Sequence, residues 1–145
     1  MGVRAGFSEI TPEVFAQVAA GAQPDITPGI RHSIDKAWHD FHVVFRSKGP
    51  PLSLAIAGDY RHPLSPHSLD EFCDGRYHEY YVGFASPQLV QEVAEALAKV
   101  TASDYKRWET ELVGDQYSME TFFPTLKTAY LEAAVRRNAL MIVIS

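Results

Sequence analysis

The stretch "ALMIVIS", Ala139–Ser145, decides the fold. Its apolar run is unbroken, so it reads as a strand buried on both faces rather than one with a wet side. Such a strand belongs in the middle of a sheet, with helices above and below it. Working back along the chain, "TFFPTLKTAYLEAAVRRN" is a long helix with Pro124 in its first turn and Phe122, Leu126, Tyr130 and Ala133 aligned. "SDYKRWETEL" is another, with Ser103 as the expected cap. "PQLVQEVAEALAKV" is the clearest of all, because Leu89, Val90, Val93, Leu97 and Val100 share one face. "RYHEYYVGF" is strand-like from its Tyr, Val and Phe content. At the start, "VRAGFSEI" reads as a strand ahead of a short helix capped by Thr11, opened by Pro12 and closed by Gly21. Strands at both ends and in the middle, separated by helices, point to a single α/β (α+β) domain over residues 1–145, a three-layer α/β/α sandwich on a small mixed sheet.

The bulk composition narrows the function classes. The chain has 145 residues, 46% hydrophobic and 21% charged, with a net charge of −5. That length supports a core without staples. Basic residues are scattered, which argues against a nucleic-acid surface. The closing apolar run is too short to span a membrane, and "MGVRAGFSEI" lacks the apolar run of a signal peptide. Cys73 is the one cysteine, which fits a reducing cytoplasm. Phosphate-loop, dinucleotide, nucleophile-elbow and CxxC signatures are absent, and no cofactor is implied.

"IDKAWHDFHVVFR", Ile34–Arg46, holds the densest set of chemical side chains. Read as one helix opened by Ser33, it separates into two stripes at about 100° per residue. Ile34, Ala37, Trp38, Phe41, Val44 and Phe45 form the apolar one. Asp35, His39, His42 and Arg46 form a polar one beside it, bordering Trp38. Three functional readings follow. Asp35, His39 and His42 could ligate a metal, although the HExxH pattern is missing. His39 could work as an acid or base against Asp35, with His42 alongside. Trp38 and Arg46 could instead wall a binding pocket. The plainer structural reading is preferred: Asp35 and Arg46 complement the helix dipole, and the histidines bond nearby backbone.

The same helix resembles the Asp-Lys-x-Trp-His-x-x-His helix of the YfbM-like family of uncharacterised bacterial proteins, carried here by Asp35, Lys36, Trp38, His39 and His42. The order of "PLSLAIAG", "SPQLVQEVAEALAKV" and "YLEAAVRRNALMIVIS" is similar to the family's too. The resemblance implies a three-layer α/β sandwich and brings no established activity. Arg46 is not part of the motif. The loop from Asp59 to Tyr81 departs from the family pattern by its length and its Tyr and His content.

Within that loop, His62, His67, Cys73 and His78 could hold zinc in principle, but they match no structural-zinc spacing. Asp70, Glu71 and Asp74 read as a solvated acidic cluster. Strand alternation sends Tyr77 and Tyr81 to one face and Tyr80 to the other, where such rings can build an interface. Together these features favour a non-enzymatic binding protein whose partner is another protein or a small molecule, in a toxin-neutralising or regulatory role. The alternative is a small hydrolase or lyase using the Asp35/His39/His42 edge.

Overall fold

A computed structural model describes residues 3–26, 31–63, 65, 67–73, 80–114 and 118–145. Five strands, β1 (Ala5–Ile10), β2 (Arg31–Asp35), β3 (Tyr60–Arg61), β4 (Tyr81–Ala85) and β5 (Ala139–Ile144), form one sheet in the order β2-β1-β5-β4-β3. The last strand is central, as its unbroken apolar run requires: Ala139, Leu140, Ile142 and Ile144 are fully buried. It pairs with β1 from Ala5↔Ile144 to Ile10↔Ala139, and with β4 from Tyr81↔Ile144 to Ala85↔Leu140. All four pairings are antiparallel, so the expected mixed sheet is corrected. Even β1 and β2, and β3 and β4, each pair with one described helix between them, are antiparallel, so the helices between strands do not set strand direction in this chain.

The helices are α1 (Pro12–Ala19), α2 (Trp38–Arg46), α3 (Leu69–Cys73), α4 (Pro87–Ala98), α5 (Ala102–Leu112) and α6 (Phe123–Val135). Phe7, Leu140, Ile142 and Ile144 turn to one face of the sheet and share a core with α2, α4, α5 and α6. Ile10, Phe84 and Ala139 turn to the other and pack with Val18, Val14 and Phe15 of α1, the thinner helical layer. None of these helices is long and apolar enough to cross a membrane.

The helix starts are written in the sequence. Thr11 Oγ1 accepts from Val14 N at 3.2 Å ahead of Pro12, and Ser86 Oγ accepts from Leu89 N at 3.1 Å ahead of Pro87. Each such bond satisfies a donor that would otherwise be orphaned, worth about 1 kcal/mol. The cap of α5 is Thr101 rather than Ser103. Thr101 has the extended backbone a cap needs, and Asp104 completes the reciprocal pair.

The largest correction concerns residues 33–37. Ser33 does not open a helix; Ser33 and Asp35 lie on β2, opposite Gly6 and Ala5. Ser33 Oγ accepts from Asp35 N at 3.2 Å, Asp35 adopts φ +50°, and the helix begins only at Trp38. Pairing with β1 satisfies backbone groups that a longer helix would have satisfied internally, so the apolar pattern alone did not separate the two outcomes. From Trp38 onward the apolar stripe holds. Phe41 and Phe45 pack on Tyr105 at 4.6 and 5.8 Å between ring centres, and Tyr105 stacks on Phe123 at 5.4 Å. This aromatic block ties α2 to α5 and α6 and sets the position of the α2 face described next.

Candidate functional site

The C-terminal half of α2 places His42 and Arg46 one turn apart, and both reach the same atom. His42 Nε2 lies 2.9 Å and Arg46 Nη1 3.1 Å from Asp70 Oδ1. Asp70 is carried by the short helix α3, which Leu69 and Phe72 pin into the core on either side of it. Phe72 rests on Trp38 at 5.7 Å, and Ser68 Oγ accepts from Glu71 N at 3.2 Å to start the turn. The segment read as a solvated acidic cluster therefore delivers one carboxylate to α2.

Beside this trio opens a cleft of about 490 Å³, within the range of small-molecule sites. Arg46, Arg61, Ser53, Ser68 and Asp70 supply its polar groups, and Leu54, Ala57 and Leu69 its apolar ones. Tyr81 closes the side: its hydroxyl donates to the Ala57 carbonyl at 2.7 Å, and burial pushes its pKa up to about 12. The wall from Leu54 to Gly58 can lie this close to β4 because a glycine stands on each side of the contact, Gly58 in the wall and Gly83 on β4. A Cβ on Gly83 would stand 2.4 Å from the Ala57 carbonyl, and one on Gly58, where φ is +79°, would stand 2.2 Å from that of Phe84.

His42 and Asp70 invert the burial of a hydrolytic dyad. There, a buried carboxylate orients an accessible imidazole. Here the imidazole is 5% exposed, while the carboxylate side chain is 54% exposed. Burial, opposed by Asp70, holds the His42 pKa below the ordinary histidine value, so the ring is neutral at neutral pH. Its proton lies on Nε2, toward the carboxylate, and Nδ1 has no hydrogen-bond partner among the described residues. The ring fixes the position of Asp70 Oδ1.

The other expected site residues are dispersed. Asp35 pairs with Arg4 at 2.9 Å on the far side of the turn before α2. His39 is half exposed, 3.7 Å from Asp40 and edge-on to Trp38. Trp38 is buried, its Nε1 donating to the Val3 carbonyl at 3.0 Å, and it does not wall the cleft. The expected Asp35/His39/His42 edge is thus not assembled, because Asp35 is on a strand and His39 and His42 look to different neighbours. Neither imidazole bonds to backbone among the described residues. Arg46 and Tyr81 do meet in one cleft, while Tyr77 lies outside the described residues. So do His78 and the side chain of Cys73; among the described residues no three His, Cys, Asp or Glu groups are placed to hold a metal ion.

From the sequence, Asp70 reads only as part of a solvated acidic cluster, and Arg61 is not singled out. One signal was available: Leu69 and Phe72, three apart, mark a short amphipathic turn that fixes where Asp70 points. For Arg61 there was none, since its role comes from the two-residue strand β3 pairing with Gly83 and Phe84.

Comparison with known proteins agrees with this architecture. No curated protein matches the chain. The crystal structure of YfbM from Escherichia coli, a protein of unknown function, is similar at a TM-score of 0.57 and 19% identity, covering 98% of this chain and 99% of that one. At that identity the likeness concerns the fold alone. A family model, the domain of unknown function DUF1877, matches residues 1–143. The chain belongs to the DUF1877 family, with a YfbM-like α+β fold.

Proposed function

We propose that this domain is a non-enzymatic binding module whose ligand is a small anionic molecule held in the cleft between α2 and β3. One observation carries the reading: among the described residues the cleft is lined by two guanidinium groups, Arg46 and Arg61, against a single carboxylate, Asp70. Arg46 is already matched by Asp70, and Arg61 has no ion-pair partner among the described residues. With His42 neutral, the site keeps one uncompensated cation in a chain whose net charge is −5. A cation left without a counterion beside apolar walls favours an incoming anion. The inverted His42–Asp70 geometry supports binding over acid–base catalysis. The setting we propose is a bacterial cytoplasm, on the single cysteine and the bacterial source of the similar structure.

Thermal melting against inorganic phosphate, sulfate, acetate and citrate tests the reading. A bound anion at a hundred times its Kd adds about 2.7 kcal/mol, or several degrees in Tm. Arg61→Gln should abolish the shift. Arg137→Gln, which removes a cation from a separate depression beside Pro87 and Gln91, should preserve it. An absence of any anion-dependent shift, or one that survives Arg61→Gln, overturns the reading.

A further inference from the structure

We infer that the ligand is a small phosphorylated alcohol, with its phosphoryl group at Arg46 and Arg61 and a hydroxyl on Asp70. The inference rests on the anion-binding reading above and specifies the other half of the molecule. It begins with Asp70. Both His42 and Arg46 bond to Oδ1, and no bond from a described residue reaches Oδ2. A carboxylate with one oxygen fixed by a buried imidazole and the other open is a placed acceptor. For a bare anion that acceptor is a liability, since it repels the charge the arginines attract. For an anion that also carries a donor, it is a second anchor. The donor is a hydroxyl rather than an ammonium, because an ammonium would face both guanidinium groups lining the same cleft.

The choice of phosphoryl over carboxylate follows from where the donors stand. Arg46 comes from α2, Arg61 from β3, and the hydroxyl of Ser53 from the turn between them. A carboxylate offers two oxygens in one plane and is best met by a single guanidinium fork. A phosphoryl group offers three oxygens pointing apart, which suits donors arriving from separate walls. Leu54, Ala57 and Leu69 form the apolar surface for the carbon frame that joins phosphate to hydroxyl.

Isothermal titration of the full chain with inorganic phosphate, glycerol 3-phosphate and ribose 5-phosphate tests this. The better of the two esters should bind at least about tenfold more tightly than inorganic phosphate. Asp70→Ala should collapse that advantage while inorganic phosphate binds as well as before or better, since Arg46 loses its internal partner. Should Asp70→Ala fail to fold, Asp70→Asn carries the test, with the ester advantage reduced and phosphate binding kept. Phosphate binding with no gain from either ester overturns this inference and leaves the anion-binding reading standing. An equal loss of phosphate and ester in the Asp70 variant also overturns it. No binding of any of the three overturns both.

Discussion

Replacing His42 with leucine should leave the protein as stable as before or more so, although the residue is 95% buried and bonded to a carboxylate. A hydrogen bond to a charged group is worth about 1.5–3 kcal/mol when its loss strands the partner. Asp70 is not stranded: its side chain is 54% exposed, and water and Arg46 replace the imidazole. The real loss is therefore about 0.5–1 kcal/mol. Against it stands Nδ1, an acceptor buried without a partner among the described residues, whose removal recovers about 1–3 kcal/mol. The balance is a gain of about 1 kcal/mol, or roughly 2–4 °C in Tm for a chain of this length. His42→Ala, which removes the same atoms but leaves a void, should instead lose about 2–4 kcal/mol. The pH dependence supplies an independent sign. The folded-state pKa of His42 lies below its unfolded value of 6.5. Between the two values the unfolded chain binds more protons, so the wild type loses stability as the pH falls through 6.5 toward the folded value. Leucine carries no such penalty, and its advantage should widen from about pH 7.5 to about pH 5.5. Urea denaturation across that range measures both effects. A destabilisation by His42→Leu of about 2 kcal/mol or more, with no pH-dependent recovery, would refute the reasoning by showing that Nδ1 is satisfied in the folded protein.

Two further substitutions test the supports of the cleft and of α2. Gly58→Ala places a Cβ 2.2 Å from the Phe84 carbonyl at a φ of +79°; it should cost about 2–4 kcal/mol in denaturant unfolding, combining left-handed strain with overpacking. A cost below about 0.5 kcal/mol would mean that this backbone contact is loose. Glu109 is 1% exposed and accepts from Tyr105 Oη at 2.9 Å and from Met119 N at 3.1 Å. Glu109→Ala leaves the buried Tyr105 hydroxyl and the part-buried Met119 N–H without this partner, and calorimetry should record a loss of about 2–5 kcal/mol. Retention of full stability would place water at these groups instead.

Much of the architecture was legible before any coordinates. The cap Thr11, the prolines at three helix starts and most of the stripes of α4 and α6 are local signals that appear where the sequence put them; Phe122 precedes α6, where Phe123 takes the core place, and Val100 follows α4. The run at Ala139–Ile144 is less local, and it does form the middle strand, with Leu140, Ile142 and Ile144 fully buried on one face and Met141 and Val143 partly buried on the other. The site was legible only in part. Asp35, His39, His42 and Arg46 fall on one stripe if the helix begins at Ser33, and nothing in the side-chain pattern forbids that start. What moves it to Trp38 is the pairing of Ser33 and Asp35 with Gly6 and Ala5, contacts made across 27 residues or more of chain.

The sequence by itself determined the layers, the central strand and the apolar half of α2, because these depend on periodicity and on end signals read within one segment. Only the tertiary structure decided which polar groups share a site. His42 and Arg46 meet Asp70, and Arg61 and Tyr81 join them, because separate elements converge beside α2. The strand direction and the true helix start also belong to the tertiary level. Both are settled by backbone hydrogen bonds between distant segments, and those bonds leave no mark in the side-chain pattern of either segment alone.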